Sequence, residues 1–265
     1  MIDIKTPNEI SVMAAGGRIL AEVLREILSK IKPGVSELDL ERWAEKLIRQ
    51  NGAEPGFKRV RGYRHSICVS TNNVVVHGIP TNYRFKQGDI VGVDCGVYYK
   101  GFNTDYAQTM RVQSSTLRLR SGQEFKVQGL DKVDRFLETG KWALEEAIKV
   151  AKIGNRVGNI SKTIQDIMEG SGYSVVRSLV GHGVGRQLHE EPEVPGFLAT
   201  DIKKTPYLEE GMTIAVEVIY NMGKPNVVYS NDDGWTIKTK DNSLSGLFER
   251  TVAITKDGPL VLTQT

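Results

Sequence analysis

The sequence has few cysteines, no long apolar run and no strong charge imbalance. Its 265 residues include two cysteines, Cys68 and Cys95, too few for a disulfide framework and typical of a reducing compartment. No stretch approaches the roughly 18 apolar residues of a membrane span, and Asp3 already interrupts the N-terminus, so we expect no leader peptide. The net charge of +3 is too small to indicate a nucleic-acid partner. We expect a cytoplasmic protein that binds neither membrane nor specific nucleic acid.

Histidine is also scarce, and its positions are informative. Two of the four histidines, His182 and His189, lie in the glycine-rich residues 181–192. Glycines on both sides of His182 allow close approach to a metal or a substrate. His77 follows a run of valines and precedes a turn, where reactive residues are often found. One histidine alone is more often structural, but two in such a loop favour chemistry.

A pair of helices is predicted twice along the chain. Thr6, Pro7 and Glu9 form a capping-box pattern before apolar residues at helical spacing, and Ser36 precedes a second such run. A similar pair of apolar runs in the second half ends at Gly154 and at Gly170. This repetition indicates a duplicated helix–helix unit, with chance similarity as the alternative.

Two predicted strands repeat in the same way. The segment GDIVGVD at residues 88–94 corresponds to GMTIAVE at residues 211–217, and both glycine and acid share an offset of 123 residues. Two halves of helices followed by strands predict an α+β fold, with the helices packed on one face of an antiparallel sheet.

We expect the two halves to form one unit. The predicted organisation is a single catalytic domain over residues 1–265, with pseudo-symmetric halves at about 1–125 and 126–265. Residues 113–140 alternate Ser, Arg and Gln without a clear period. That segment is compatible with a long hairpin or with a linker.

Four acids lie in predicted strands among small residues, at Asp94, Asp105, Glu217 and Glu249. Because side chains alternate along a strand, Ala107 shares the face of Asp105. A single acid at a strand end often just reaches solvent, which is the alternative at each position. Four buried carboxylates together would repel one another and lose hydration unless cations neutralised them. Two divalent ions supply the matching charge, and such ligands suit hard or borderline metals.

These residues resemble those of the methionine aminopeptidases over nearly the whole chain. The matching motifs are HGIP at residues 77–80, Asp94 with Asp105 eleven residues later, residues 181–192, and DGWTIKTKD at residues 233–241. The length and the lack of an N-terminal zinc-binding extension resemble the type I form. The resemblance implies the pita-bread (creatinase/aminopeptidase) fold, a pseudo-twofold duplication of a helix–helix–sheet unit.

The resemblance also implies five ligands for two divalent metal ions. They are Asp94, Asp105, His182, Glu217 and Glu249. Asp105 and Glu249 would bridge both ions, Asp94 would hold one, and His182 with Glu217 the other. Such ligands accept Co, Mn, Fe or Zn, so the metal stays open.

Further site residues follow from the same resemblance. Glu217 is expected to act as general base, with His189 and His77 contacting the scissile peptide as catalytic residues. The expected methionine pocket is lined by Tyr63, Cys68 and Trp235. From the residues alone, Cys68 is equally compatible with a small core position and Trp235 with a loop anchor.

The implied activity is removal of the initiator methionine from nascent polypeptides with a small second residue, by hydroxide attack from a dinuclear metal centre. The expected partner is the nascent N-terminus, the expected state is a monomer, and docking to the ribosome stays open. The alternatives are an Xaa-Pro aminopeptidase-like enzyme and a catalytically altered pita-bread binding protein. Two residues depart from the family pattern, Val218 in place of Pro and Arg250 in place of His. We expect Arg250 to point away from the face of Glu249, leaving that ligand in place.

Overall fold

A computed structural model describes residues 2–113, 131–230 and 233–264. The described helices are α1 (Pro7–Ser29), α2 (Glu37–Gln50), α3 (Lys132–Val150) and α4 (Val157–Gly170), with short 3-10 helices at Phe57–Arg59 and Ile202–Lys204. The described strands are β1 (Glu54–Pro55), β2 (Ile67–Thr71), β3 (Val74–Val76), β4 (Ile90–Tyr99), β5 (Phe102–Arg111), β6 (Ser174–Val175), β7 (Gly181–Gly183), β8 (Glu190–Val194), β9 (Thr213–Asn221), β10 (Val227–Tyr229), β11 (Ile237–Thr239), β12 (Ser245–Thr255) and β13 (Gly258–Val261). No helix in these ranges is long and apolar enough to cross a membrane.

The first two helices begin where the capping residues predict. The hydroxyl of Thr6 accepts a hydrogen bond from the Glu9 amide, and the Glu9 carboxylate accepts one from the Thr6 amide. Ser36 and Asp39 make the same reciprocal pair before α2. Each pair satisfies amide groups that the first helical turn leaves without a backbone acceptor.

The third helix starts earlier than the sequence indicates. The Asp131 carboxylate accepts hydrogen bonds from the amides of Val133 and Asp134, so α3 begins at Lys132. The expected hairpin or linker over residues 113–140 is therefore wrong for residues 132–140. The buried Phe136 packs the start of α3 against the core. Because the neighbouring residues are mostly polar, the sequence does not indicate this tertiary contact. The rest of that segment, residues 114–130, lies outside the described residues, as does the predicted boundary between the halves.

The main sheet is antiparallel and joins elements from both ends of the chain. Its described strands follow the order β1-β4-β5-β12-β9-β7-β8, with β2 also on β4, β6 on β9 and β13 on β12. β5 and β12 meet at the centre, where the Thr251 hydroxyl donates to the Asp105 carbonyl and accepts from the Asp105 amide, both at 2.8 Å. These bonds tie the two halves of the sheet together.

All four helices cover one face of this sheet, here called the helix face. Leu24 of α1 and Leu40 of α2 pack on Val93 of β4, in one apolar cluster. Leu144 of α3 and Ile160 of α4 pack with Val216 of β9 in a second cluster. The predicted α+β architecture, with helices on one face of antiparallel sheet, is confirmed.

The opposite face, here called the site face, carries the acids. Directly opposed residues of an antiparallel pair point to the same side. Asp94 lies opposite Ala107 and Asp105 opposite Gly96, while Glu217 lies opposite Glu249. A small separate sheet, β10-β11-β3, lies beside this face, with His77 immediately after β3. The fold therefore concentrates polar residues on the face opposite the four described helices.

Candidate metal centre

Five predicted ligands come from five neighbouring strands and converge on the site face. Ligand atoms of Asp105, His182 and Glu249 all lie within 4.8 Å of one another. Glu217 Oε1 lies 3.5 Å from His182 Nε2. Asp94 belongs to the same cluster, because its charge raises the pKa of Asp105 and Glu217 beyond the effect of burial. The structure thus brings the whole predicted set together.

The carboxylates are held where water hardly reaches them. Asp105 is 4% exposed and Glu249 2% exposed. Burial raises the pKa of both, and mutual repulsion among the acids raises it further. Burial raises the pKa of Asp94 to about 7, although hydrogen bonds from Asp105 and from the Cys95 backbone lower it. A protein without cations at this place must either protonate these groups or bear the cost of their repulsion.

Two buried carboxylate oxygens have no hydrogen-bond partner among the described residues, Asp94 Oδ1 and Glu249 Oε1. Buried polar atoms are otherwise almost always paired, since an unpaired one loses its interaction with water without compensation. An unpaired carboxylate oxygen inside a cluster of acids is better suited to bind a cation than to accept a hydrogen bond from a neutral donor. Carboxylates with one imidazole are a suitable donor set for a hard or borderline divalent ion.

The ring of His182 is oriented to serve as a ligand. Its Nδ1 lies 2.8 Å from the carbonyl oxygen of Gly183, which assigns the ring proton to Nδ1 and leaves the lone pair of Nε2 toward Glu217. Burial, together with the neighbouring His189, lowers the pKa of His182 to about 3, although the Gly183 backbone raises it. The imidazole is therefore neutral at physiological pH, as a metal ligand must be.

The glycines around His182 act through the backbone. A Cβ on Gly183 would lie 2.2 Å from the carbonyl oxygen of Glu191, and one on Gly181 would lie 2.5 Å from that of Ala215. β7 can pair with its neighbours only without these side chains. The close approach in the structure is therefore between strands and serves to place the ring, while the predicted approach to a metal or a substrate stays a prediction.

One cavity of about 530 Å³ contains the centre and every other predicted site residue. The predicted residues along its wall are Tyr63, Cys68, His77, Asp94, Asp105, His182, His189, Glu217, Trp235 and Glu249. Acids occupy one end, and aromatic and aliphatic side chains occupy the other. This arrangement suits a ligand with an apolar group beside a polar, reacting part.

The apolar end is built around Tyr63. Its hydroxyl donates to the Ile67 carbonyl at 2.8 Å and lies 3.1 Å from Cys68 Sγ, and its ring meets Trp235 edge to face at 5.1 Å. Cys68 is both buried and part of the wall, so its two predicted roles coincide. Phe57 and Leu188 complete this end.

Sequence reasoning missed Phe57 and Leu188. Leu188 directly precedes His189, so its position beside a predicted site residue was an available signal. Phe57 lies in a short 3-10 turn, and the signal for it is indirect. A Cβ on Gly96 would come within 2.6 Å of its ring, so that glycine makes room for the phenylalanine.

Two further histidines lie at the cavity wall. His77 has φ of 56°, a left-handed conformation that non-glycine residues adopt mainly at turns and functional sites. Burial, together with the charge of His189, lowers its pKa to about 4. The His189 ring lies 4.3 Å from that of His182, and burial lowers its pKa as well. Both rings are neutral near pH 7 and each keeps one N–H donor.

The two departures from the expected pattern do not enter the cavity. Val218 is buried in the core of the helix face. Arg250 points to that face also, where its guanidinium lies 3.7 Å from the ring centre of Tyr106. The predicted orientation of Arg250, away from the acids, is confirmed.

Comparisons with known proteins agree with this geometry. Residues 11–256 match the model of metallopeptidase family M24. The chain is 40% identical to a methionine aminopeptidase of Clostridium perfringens, covering 99% of both chains, and 39% identical to methionine aminopeptidase 1 of Bacillus subtilis, covering 100% of both. It resembles the crystal structure of the Thermotoga maritima methionine aminopeptidase with a TM-score of 0.91 at 38% identity over 100% of both chains. The prolidase of Pyrococcus furiosus, at 23% identity and a TM-score of 0.73 over 65% of its own length, shares the fold. The predicted pita-bread fold is confirmed.

The buried acids predict an unusual dependence of stability on pH. The Asp94 pKa is about 7 in the folded chain against an ordinary 3.8, so the metal-free fold keeps a proton that the unfolded chain releases. This stabilisation is complete below pH 4 and is lost as pH rises toward 7. We therefore compare the free energy of unfolding in urea, with chelator present, for the parent and for Asp94→Asn. Between pH 4 and pH 7 the parent should lose on the order of a few kcal/mol more of this free energy than Asp94→Asn. Asp166→Asn, at an exposed acid on α4, should follow the parent. If the free energies of unfolding of the parent and of Asp94→Asn changed by the same amount over this pH range, the raised pKa of Asp94 would be contradicted.

Proposed function

This chain belongs to metallopeptidase family M24, and we propose that it removes the initiator methionine from new polypeptides whose second residue is small. The observation that carries the proposal is one cavity in which five metal-type ligands adjoin a buried apolar end. The names of relatives that match over their full length support the same activity. The N-terminus of a nascent chain would be the partner. The monomeric state and the cytoplasmic location stay predictions, and docking to the ribosome stays open.

We propose that the centre holds two divalent ions, with Mn, Fe, Co and Zn all compatible with its donors. Asp105 and Glu249 lie on the two central strands of the sheet, which suits them to bridge both ions. Asp94 would serve one ion, and His182 with Glu217 the other. When bound, such ions lower the pKa of a water molecule, polarise the substrate carbonyl and hold a free α-amine. The two unpaired oxygens on Asp94 and Glu249 support this assignment.

Glu217 is the proposed general base. Its carboxylate lies beside His182 at the edge of the cluster and lines the cavity. Burial raises its pKa, and the charge of Asp94 raises it further, so its affinity for a proton is higher than that of an ordinary glutamate. Such a group can take a proton from the attacking water and later deliver it to the leaving amine.

His189 and His77 are proposed to handle the peptide bond itself. Both are neutral because of burial, and both face the cavity. A neutral imidazole donates one hydrogen bond without bringing a full positive charge near the centre. His189 would donate to the carbonyl oxygen as the tetrahedral intermediate forms, and His77 would hydrogen-bond the peptide nitrogen as it departs.

The apolar end provides the proposed selectivity for methionine. Tyr63 and Trp235 meet edge to face, and Phe57 packs against Tyr63 at 6.2 Å between ring centres. Together with Cys68 and Leu188 they form a buried cluster. A flexible, unbranched thioether makes favourable contacts with aromatic edges, whereas a β-branched side chain is stiffer and fits such a slot less well.

A panel of tripeptides tests the activity and its specificity. Protein stripped of metal and reloaded with Mn²⁺ or Co²⁺ should release methionine from Met-Ala-Ser about 100-fold faster than from Met-Leu-Ser. Chelator should abolish the release. Preferential cleavage of Ala-Pro would favour the Xaa-Pro alternative. A folded, metal-loaded chain that cleaves none of these peptides would favour the altered binding protein.

Substitution of Glu217 tests the proposed base, with the metal content of the variant measured alongside because Glu217 is also a proposed ligand. Glu217→Gln should lower turnover of Met-Ala-Ser roughly 10²–10⁴-fold, because the amide cannot accept the water's proton. Its melting temperature and substrate KM should change far less. Glu193→Gln is the matched control, since Glu193 also lines the cavity but has no proposed role. Near-normal turnover of Glu217→Gln would remove Glu217 from the mechanism.

A further inference from the structure

A second crevice lies on the helix face, behind the metal-type cluster. Its volume is about 540 Å³, and its polar wall includes Arg25 of α1, Tyr106 and Gln108 of β5, Arg250 of β12, and Thr263. None of the described residues along its wall is an aspartate or a glutamate. It therefore has two cationic side chains and no acid of its own to neutralise them.

Arg250 lies at the base of this crevice in an unusual state. Its guanidinium is stacked on the Tyr106 ring at 3.7 Å, and its Nη1 donates to its neighbour, the Glu249 carbonyl, at 2.8 Å. It lies largely out of water, and Glu249 and Glu145 are the acids whose charges act on it. It forms no salt bridge with any acid in the described ranges. A largely buried guanidinium normally has a carboxylate or another anion as partner.

The groups around Arg250 are turned so that donors remain available. The Tyr106 hydroxyl donates to Gln108 Oε1 at 2.8 Å. This bond occupies the amide oxygen of Gln108 and leaves its NH₂ group available to donate a hydrogen bond. The exposed Arg25 adds a second guanidinium at the opening. Stacking on Tyr106 also fixes the orientation of the planar Arg250 guanidinium, whose fork matches the geometry of bidentate oxyanion binding.

We propose that this crevice binds an oxyanion, a phosphate-like or carboxylate group of a small molecule, with Arg250 as its principal contact. Gln108 and Arg25 supply the remaining donors. The site is separate from the peptidase cavity, since its residues lie on the opposite face of β5 and β12. Tyr106 and Arg250 each follow one of the two central acids, so a bound anion would lie directly behind Asp105 and Glu249.

Calorimetric titration and thermal unfolding of the metal-loaded chain test this proposal. Sulfate is the tetrahedral probe and acetate the carboxylate probe, each compared with chloride at equal ionic strength. Saturable binding of sulfate with a rise in melting temperature is expected for a phosphate-like ligand, and tighter binding of acetate would assign a carboxylate instead. Arg250→Met should weaken binding of the preferred anion about tenfold or more, because it removes a charge-assisted fork. Arg25→Gln should weaken it less.

Two further variants keep the test independent of folding and of the metals. Gln108→Glu leaves Arg250 in place but puts a carboxylate in the crevice, so it should also weaken anion binding. Arg18→Gln, two turns from Arg25 on α1 and not part of the crevice, should bind like the parent. Anion bound at the metal centre would persist in Arg250→Met and is thereby distinguished. Equal affinity in the parent, Arg250→Met and Gln108→Glu, or no saturation beyond chloride, would overturn the proposal, whatever the peptidase activity proves to be.

Discussion

The repulsion among four buried carboxylates is the constraint on which the rest of this structure depends. Asp105 and Glu249 are almost fully shielded from water. Burial raises the pKa of all four acids, and the charges of neighbouring acids raise it further in Asp105, Glu217 and Glu249. At neutral pH a folded chain can hold four such carboxylates together only if cations bind them or some of them carry a proton. Metal-type ligation and the fold are therefore linked, because the sheet can carry these residues only if their charge is balanced.

One face of the sheet carries the apolar core that stabilises the fold, and the other carries the polar residues of the proposed site. On the helix face, apolar side chains such as Val93 and Val216 pack under the helices and hold the strands in register. On the site face, small residues such as Ala107 and Ala215 leave the space that the polar groups occupy. Strand alternation connects the two, so that Glu249 faces the cluster while Arg250 faces the helices. A shift of one residue in β12 would exchange these side chains and destroy both faces.

Much of this arrangement was predictable because it depends on local chemistry. Thr6 and Ser36 mark helix starts through hydrogen bonds to nearby amides, which any chain with these residues can make. The acids were found through alternation within single strands and the family resemblance. Their convergence could not be derived from spacing alone, because it requires β5 and β12 to be neighbours although they are far apart in sequence.

Other features were hidden because they depend on tertiary contacts. The start of α3 relies on packing of Phe136 inside a stretch that reads as polar. The contribution of Phe57 to the cavity becomes visible only beside Gly96 of another element. The crevice around Arg250 is formed by α1 and the two central strands together, so the sequence revealed the unusual arginine but not its surroundings.

The number of metal ions bound per chain tests the central claim most directly. Equilibrium dialysis of the stripped, full-length chain against Mn²⁺ or Co²⁺, followed by elemental analysis, measures this number without reference to activity. Two ions per chain in the parent are expected, with clear loss in Glu249→Ala because a bridging ligand touches both ions. One ion or none at saturation, or unchanged binding in Glu249→Ala, would contradict a dinuclear centre that neutralises the buried acids.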